Sequence, residues 1–171
     1  MARLRKRENV NSPGGHRDST AFLLAQVGAH AASKFGGRLK KLHLSRPHSG
    51  ILWNLSFSSS ITQRQLAARL RILPSRLVAL LDELESRGLI ERRRNPDDRR
   101  RHSLHLTQKG RATVKLIGEI SGEHQKELLA ALSDDDQSKL GELLHRVAAE
   151  QGLARGVHPG YTRLGKSEKT E

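Results

Sequence analysis

The chain has 171 residues, a formal net charge of +13, no cysteine, three Phe, one Trp and one Tyr. The missing thiols exclude disulfides, thiolate metal sites and a cysteine-based redox sensor, and the few aromatics require a core of Leu, Ile, Val and Ala, a mixture suited to helices. The length fits one compact domain or a small domain with long helices attached, and the positive field attracts polyanions or an anionic membrane surface.

Residues 1–17 contain Asn-Ser-Pro-Gly-Gly and lack the apolar run of a secretory signal, so they are expected to form a flexible basic arm. Its Arg3, Arg5, Lys6 and Arg7 are open to two readings, an added phosphate or minor-groove contact and a solubilising tail. No segment approaches the ~18 to 20 apolar residues of a membrane span, so a cytoplasmic protein with no membrane partner is expected.

Over residues 18–46, Leu24, Val27, Ala31, Phe35, Leu39 and Leu42 recur at helical spacing and predict one long amphipathic helix capped by Asp18 or Ser19. Pro47 starts a shorter helix containing Ile51, Leu52, Trp53 and Leu55. In "TQRQLAARL", Thr62 and Gln65 have capping-box spacing. Pro74 then opens a helix whose Leu77, Leu80, Leu81 and Leu84 face inward until Gly88. Two short helices so closely joined predict a helix-turn-helix.

Leu89–Arg94 and His102–Thr107 read as strands of a hairpin. Thr107 caps a helix with Ile117, Ile120, His124, Leu128 and Ala131 on one face. Ser133 caps a last helix, with Asp134, Asp135 and Asp136 at its positive end and Leu140, Leu143, Leu144 and Val147 as its buried stripe. Residues 152–171, with four Gly and one Pro, are expected to be a flexible tail. The positive excess lies ahead of residue 108, for residues 108–151 carry six basic against eight acidic side chains.

The hairpin tip "NPDDRRR" holds the densest charge. A solvated loop is the common fate of such a run. The alternative is a wing on a duplex backbone, where one of Arg99, Arg100 and Arg101 enters the narrow minor groove while its neighbours meet phosphates. Asp98, two residues before Arg100, would then hold that guanidinium and limit its rotamers.

Read together, "TQRQLAARL" and "PSRLVALLDELESRGLIERRRNPDDRRRHSLHLTQKGR" resemble the winged-helix segment of the MarR family of bacterial transcription regulators. The likeness rests on Leu-Glu-x-x-Gly-Leu-[Ile/Val]-x-Arg, an Asp-x-Arg wing and a Leu-Thr-x-x-Gly exit, and covers about residues 61–111. It implies a mainly α fold with a small β-hairpin wing: a winged helix-turn-helix at 47–107 between an N-terminal dimerisation helix at 18–46 and C-terminal dimerisation helices at 108–151.

The function implied is a homodimeric, sequence-specific double-stranded DNA-binding regulator, expected to be a repressor released by a small-molecule effector. Recognition-helix positions are then Pro74, Ser75, Arg76, Val78 and Ala79, wing positions Asp98, Arg99, Arg100 and Arg101, and phosphate contacts Thr62, Gln63, Arg64 and Arg69. Phe22, Phe35 and Trp53 lie where such dimers form a ligand pocket, and core packing is the competing reading for all three. Arg71 replaces a common turn glycine and Leu73 a common polar cap, which predicts a less strained turn or one held by packing of Ile72 and Leu73. Val78 and Ala79 replace common Thr and Arg, leaving few direct base readers, so a ligand-inert architectural DNA binder is the alternative function.

Nine histidines at irregular spacings offer no metal-ligand pattern, and no nucleophile elbow, phosphate loop or carboxylate pair beside a base appears. Neither a metal, a cofactor nor catalysis is expected.

Overall fold

The computed structural model describes residues 19–58, 60–94, 102–158 and 161. The chain is mostly helical with one small antiparallel sheet: α1 (Thr20–Leu39), a 3-10 turn (Lys40–Leu42), α2 (Arg46–Ser56), β1 (Ile61–Thr62), α3 (Gln63–Leu70), α4 (Pro74–Ser86), β2 (Ile90–Arg94), β3 (His102–Leu106), α5 (Gln108–Leu128) and α6 (Asp134–Glu150).

Local chemistry sets the boundaries. Ser19, Thr62, Thr107 and Ser133 each accept a backbone N–H through the side-chain oxygen and cap α1, α3, α5 and α6. Thr62 and Gln65 complete the reciprocal box, the Thr62 N–H donating to Gln65 Oε1 at 2.9 Å. The first helix is shorter than predicted, since α1 ends at Leu39, the backbone tightens through Lys40–Leu42, and His43 adopts a left-handed conformation that turns the chain toward α2.

The sheet has the order β1-β3-β2. The hairpin pairs Ile90 with Leu106 and Arg94 with His102. Ile61 and Thr62 add a third strand against Leu104 and Ser103 that two residues gave no periodicity to reveal.

One core joins these elements. The predicted stripe Leu77, Leu80, Leu81 and Leu84 of α4 is buried against Leu39, Ile51, Leu52, Leu55, Leu66, Leu70 and the sheet residues Ile90 and Leu104. Where α5 crosses the start of β2 the approach is so close that a Cβ on Gly110 would stand 2.0 Å from the Leu89 carbonyl oxygen. Gly110 is therefore required by contact, not by its dihedral angles.

The core stops short of the long helices' outer ends. On α1, Phe22, Leu23, Leu24 and Val27 are exposed, as are Leu143, Leu144 and Val147 on α6. The stripe of α6 is thus not buried within one chain, contrary to expectation, because no other described element of the chain covers it. In the segment read as a tail, Val157 packs against the core and Tyr161 is buried.

Candidate nucleic-acid interface

Helix α4 is divided cleanly. Its inward leucines are in the core, while Pro74, Ser75, Arg76, Val78 and Ala79 are all exposed. The periodicity that fixes the buried face also fixes the outward one. Five residues expected to meet DNA therefore share one surface, at the N-terminal half of the helix.

Three polar ties hold the helix behind that face. Arg92 on β2 donates from its backbone N–H to Glu85 Oε1 at 3.1 Å, and its guanidinium meets both Glu85 and Asp82, the latter at 2.6 Å. Partial burial opposes the charge, but the hydrogen bond to Asp82 and the two carboxylates outweigh it and raise the guanidinium pKa above its ordinary value. The base of the wing is thereby fixed to the helix.

At the helix end, Arg87 donates to the carbonyls of His43 at 2.7 Å and Leu42 at 2.9 Å, anchoring α4 to the corner between α1 and α2. The third tie is His48, 6 % exposed in the first turn of α2. The Ser45 N–H donates to its Nδ1 at 3.3 Å, which leaves the proton of the neutral ring on Nε2. That nitrogen lies 3.0 Å from Glu83 Oε2, within ion-pair range though off the line of a straight hydrogen bond. Burial lowers the His48 pKa; Glu83 opposes this, and the positive Arg87 and Arg76 reinforce it.

The turn before α4 departs from expectation. Arg71 sits at φ 53°, ψ 36°, a left-handed conformation that costs a non-glycine residue about 1–2 kcal/mol, so the turn is strained rather than relaxed. Ile72 is buried and holds it, whereas Leu73 is exposed, and no side chain caps α4.

Of the expected phosphate contacts, Gln63 and Arg64 lie at the start of α3 with Arg64 exposed. The Thr62 hydroxyl is committed to the cap, donating to Gln65 Oε1 and accepting from the Gln65 N–H. Arg69 donates to Ser58 Oγ at 3.0 Å, across the loop between α2 and β1. The expected wing residues Asp98, Arg99, Arg100 and Arg101 lie outside the described residues.

Comparison with known proteins fits this arrangement. The MarR family sequence model matches residues 44–101, from the end of the α1 corner into the wing. Among solved structures, the transcriptional repressor CouR bound to a 23-mer DNA duplex is 30% identical with a TM-score of 0.71, over 80% of this chain and 97% of that one. The chain belongs to the MarR family. MarR from E. coli is also similar: a point mutant of it complexed with operator DNA is 25% identical with a TM-score of 0.66, covering 80% of this chain and 99% of that one. Its reduced form is 27% identical with a TM-score of 0.68, covering 75% and 96%.

Membership makes the chain a DNA-binding transcriptional regulator of the winged-helix type, and explains the residues that sequence reasoning matched without assigning work to them. Arg92 ends the Leu-Glu-x-x-Gly-Leu-Ile-x-Arg motif, and Gly110 ends Leu-Thr-x-x-Gly. The first ties wing to helix and the second admits the crossing of α5. His48 had no such signal.

Within the single chain the aromatic trio takes three different surroundings. Phe22 is exposed near the start of α1, Phe35 packs against the core with its ring 5.6 Å from His124, and Trp53 pairs edge-on with Phe57 at 5.4 Å. Core packing therefore describes Phe35 alone. Phe57, overlooked in the sequence, is 74% exposed. A different cavity of about 440 Å³ lies among α2, the sheet and α5, lined by Leu55, Leu106 and Val114 together with Arg93, Arg111 and Lys115.

Among the described residues, no group of three or more His, Asp or Glu could hold a metal, and no helix is long and apolar enough to cross a membrane.

Proposed function

We propose that the chain is a homodimeric repressor of transcription that binds a pseudo-palindromic operator with half-sites about one helical turn apart and is released by a small-molecule effector. The observation that carries this reading is the construction of α4: an exposed face of Ser75, Arg76, Val78 and Ala79 on a helix tied from behind by Arg92, Arg87 and His48. A fixed helix with a free face suits insertion into a major groove, because little reordering accompanies binding.

Ser75 and Arg76 are the base readers in this proposal, Val78 meets a thymine methyl, and Gln63, Arg64 and Arg69 meet phosphates once Arg69 leaves Ser58. Asp98 positions Arg100 for the minor groove. The second subunit is supported by the exposed apolar side chains Phe22, Leu23, Leu24 and Val27 of α1 and Leu143, Leu144 and Val147 of α6, which a partner helix would cover. The cavity between α2, the sheet and α5 is the proposed effector site, since it touches both the DNA-binding elements and a long helix. An effector there acts only through unequal affinity for dimers whose recognition helices are correctly or wrongly spaced.

Selection of duplexes from a random pool, with salt dependence measured on winners and scrambled controls, tests the proposal. A recovered palindrome with half-sites about 10 base pairs apart supports it. Binding without a motif points instead to the low-specificity architectural role that apolar Val78 and Ala79 would suit.

A further inference from the structure

Beyond the last helix, the chain closes on itself in a built contact. Helix α6 ends in a glycine turn: Gly152 has φ 62°, and the Leu153 N–H returns to the Ala148 carbonyl at 2.9 Å. Gly156, at φ 70°, turns the chain again, and Val157 packs on the core. Tyr161 is then 8% exposed, and its hydroxyl donates to the Arg46 carbonyl at 3.1 Å.

The ring rests on Gly50. A Cβ there would lie 2.6 Å from Tyr161 Oη and 3.1 Å from two ring carbons, so the aromatic ring reaches α2 only because residue 50 has no side chain. The Arg46 carbonyl also accepts from Ser49 Oγ at 2.8 Å, so it keeps a partner when the phenol is absent. Between Arg46 and Gly50 stands His48, whose other side faces Glu83 of α4. One short stretch of α2 thus carries the C-terminal anchor and a tie to the recognition helix.

We propose that Tyr161 is a positioning residue for DNA binding: docked on Gly50, it fixes the start of α2, and α2 holds the recognition helix through the core that Ile51, Leu52 and Leu55 share with the α4 leucines and through the approach of His48 to Glu83. The contact is long-range in sequence and buries one of the chain's five Phe, Trp and Tyr residues, in a segment otherwise rich in glycine and charge. Packing of a large ring with its hydroxyl satisfied is a strong local restraint. The assignment rests on α4 being the helix that reads DNA.

The test is equilibrium binding of the full chain to a duplex it selects from a random pool and to a scrambled duplex, with thermal unfolding measured alongside. Gly50→Ala and Tyr161→Ala should each weaken binding to the selected duplex about tenfold, within the usual range of coupling between distant sites, and leave the scrambled duplex unaffected. Because both remove the same contact, the double variant should lose no more than either single one. Tyr161→Phe, which keeps the ring, should restore most of the affinity. Alanine favours a helix more than glycine does, so a loss in Gly50→Ala cannot come from a weaker α2.

Unchanged affinity in both single variants, whatever their melting temperature, overturns the proposal, as does a double variant whose losses simply add. If the parent chain itself does not distinguish the selected from the scrambled duplex, the DNA-reading role of α4 fails, and this outcome is separate from failure of Tyr161 alone.

Discussion

Arg71 and Gly110 show how a single backbone position can be constrained in opposite ways. Arg71 holds a left-handed conformation with a side chain attached, and Gly110 lacks a side chain because the Leu89 carbonyl occupies the space. Arg71→Gly should raise stability by less than about 1 kcal/mol, the relief of strain being partly offset by the greater freedom of glycine in the unfolded chain. Urea unfolding measures this. If the exposed Arg71 guanidinium also meets a phosphate, the salt slope of DNA binding should fall by about one unit in the same variant. Gly110→Ala should cost about 1–3 kcal/mol through overpacking, seen as a lower urea midpoint with unchanged slope. Arg76→Ala, by contrast, should leave the midpoint alone and relax base preference at one position per half-site, read by repeating the duplex selection; equal loss on every sequence would contradict its proposed role as a base reader.

Between elements, the decisive contacts are ties rather than areas. Arg92 joins β2 to α4 through an exposed Asp82 and a half-buried Glu85, so solvent screening should hold the stability cost of Arg92→Ala to about 1 kcal/mol. Its effect on DNA should be larger, since wing and recognition helix would no longer be held at one angle. Affinity is expected to fall on selected and scrambled duplexes alike, which titration of both would show. The caps at Ser19, Thr62, Thr107 and Ser133 were legible in the sequence because donor and acceptor lie three residues apart. The buried stripe of α4 was legible for the same reason, as a periodicity. Strand β1, the His48 contact and the Tyr161 anchor were not, because each depends on a partner 35 or more positions away that no local pattern announces. Within the candidate site, the outward residues of α4 could be read in advance, whereas the commitment of Thr62 to its own cap and of Arg69 to Ser58 could not.

Over the whole molecule, charge and exposed leucines govern behaviour. His48, His124 and His158 each have pKa values below the usual 6.5, with burial as the first cause. Below that pH the unfolded chain binds protons that the folded one resists, so stability from these groups is complete above 6.5 and is lost as the pH falls toward their folded values. Glu127 acts in the same direction: its hydrogen bond and charge contact with Lys34, then Arg38, hold its carboxyl below 4.5, and that stabilisation disappears on further acidification. Urea midpoints should therefore fall steadily from about pH 7 to pH 4, and His48→Gln should flatten the upper part of that range. The exposed Leu143, Leu144 and Val147 predict a second outcome. Leu144→Arg should convert a dimer to monomer in sedimentation equilibrium and abolish preference for a palindrome over a single half-site.

The pinning of α5 has a geometric consequence. At its start, the Thr107 hydroxyl donates to the Gly88 carbonyl at 2.7 Å and Lys109 donates to the Arg87 carbonyl at 2.9 Å; near its far end, Glu127 meets Lys34 at 2.6 Å. With 21 residues at about 1.5 Å each, the helix is a lever roughly 31 Å long. Pivoted at its start, and carrying α1 with it through Lys34, it needs to swing through only about 6° for its far end to travel an arc of about 3.4 Å, the rise of one base-pair step. In the proposed homodimer, an effector wedged beside such a lever need do very little to put two half-sites out of step.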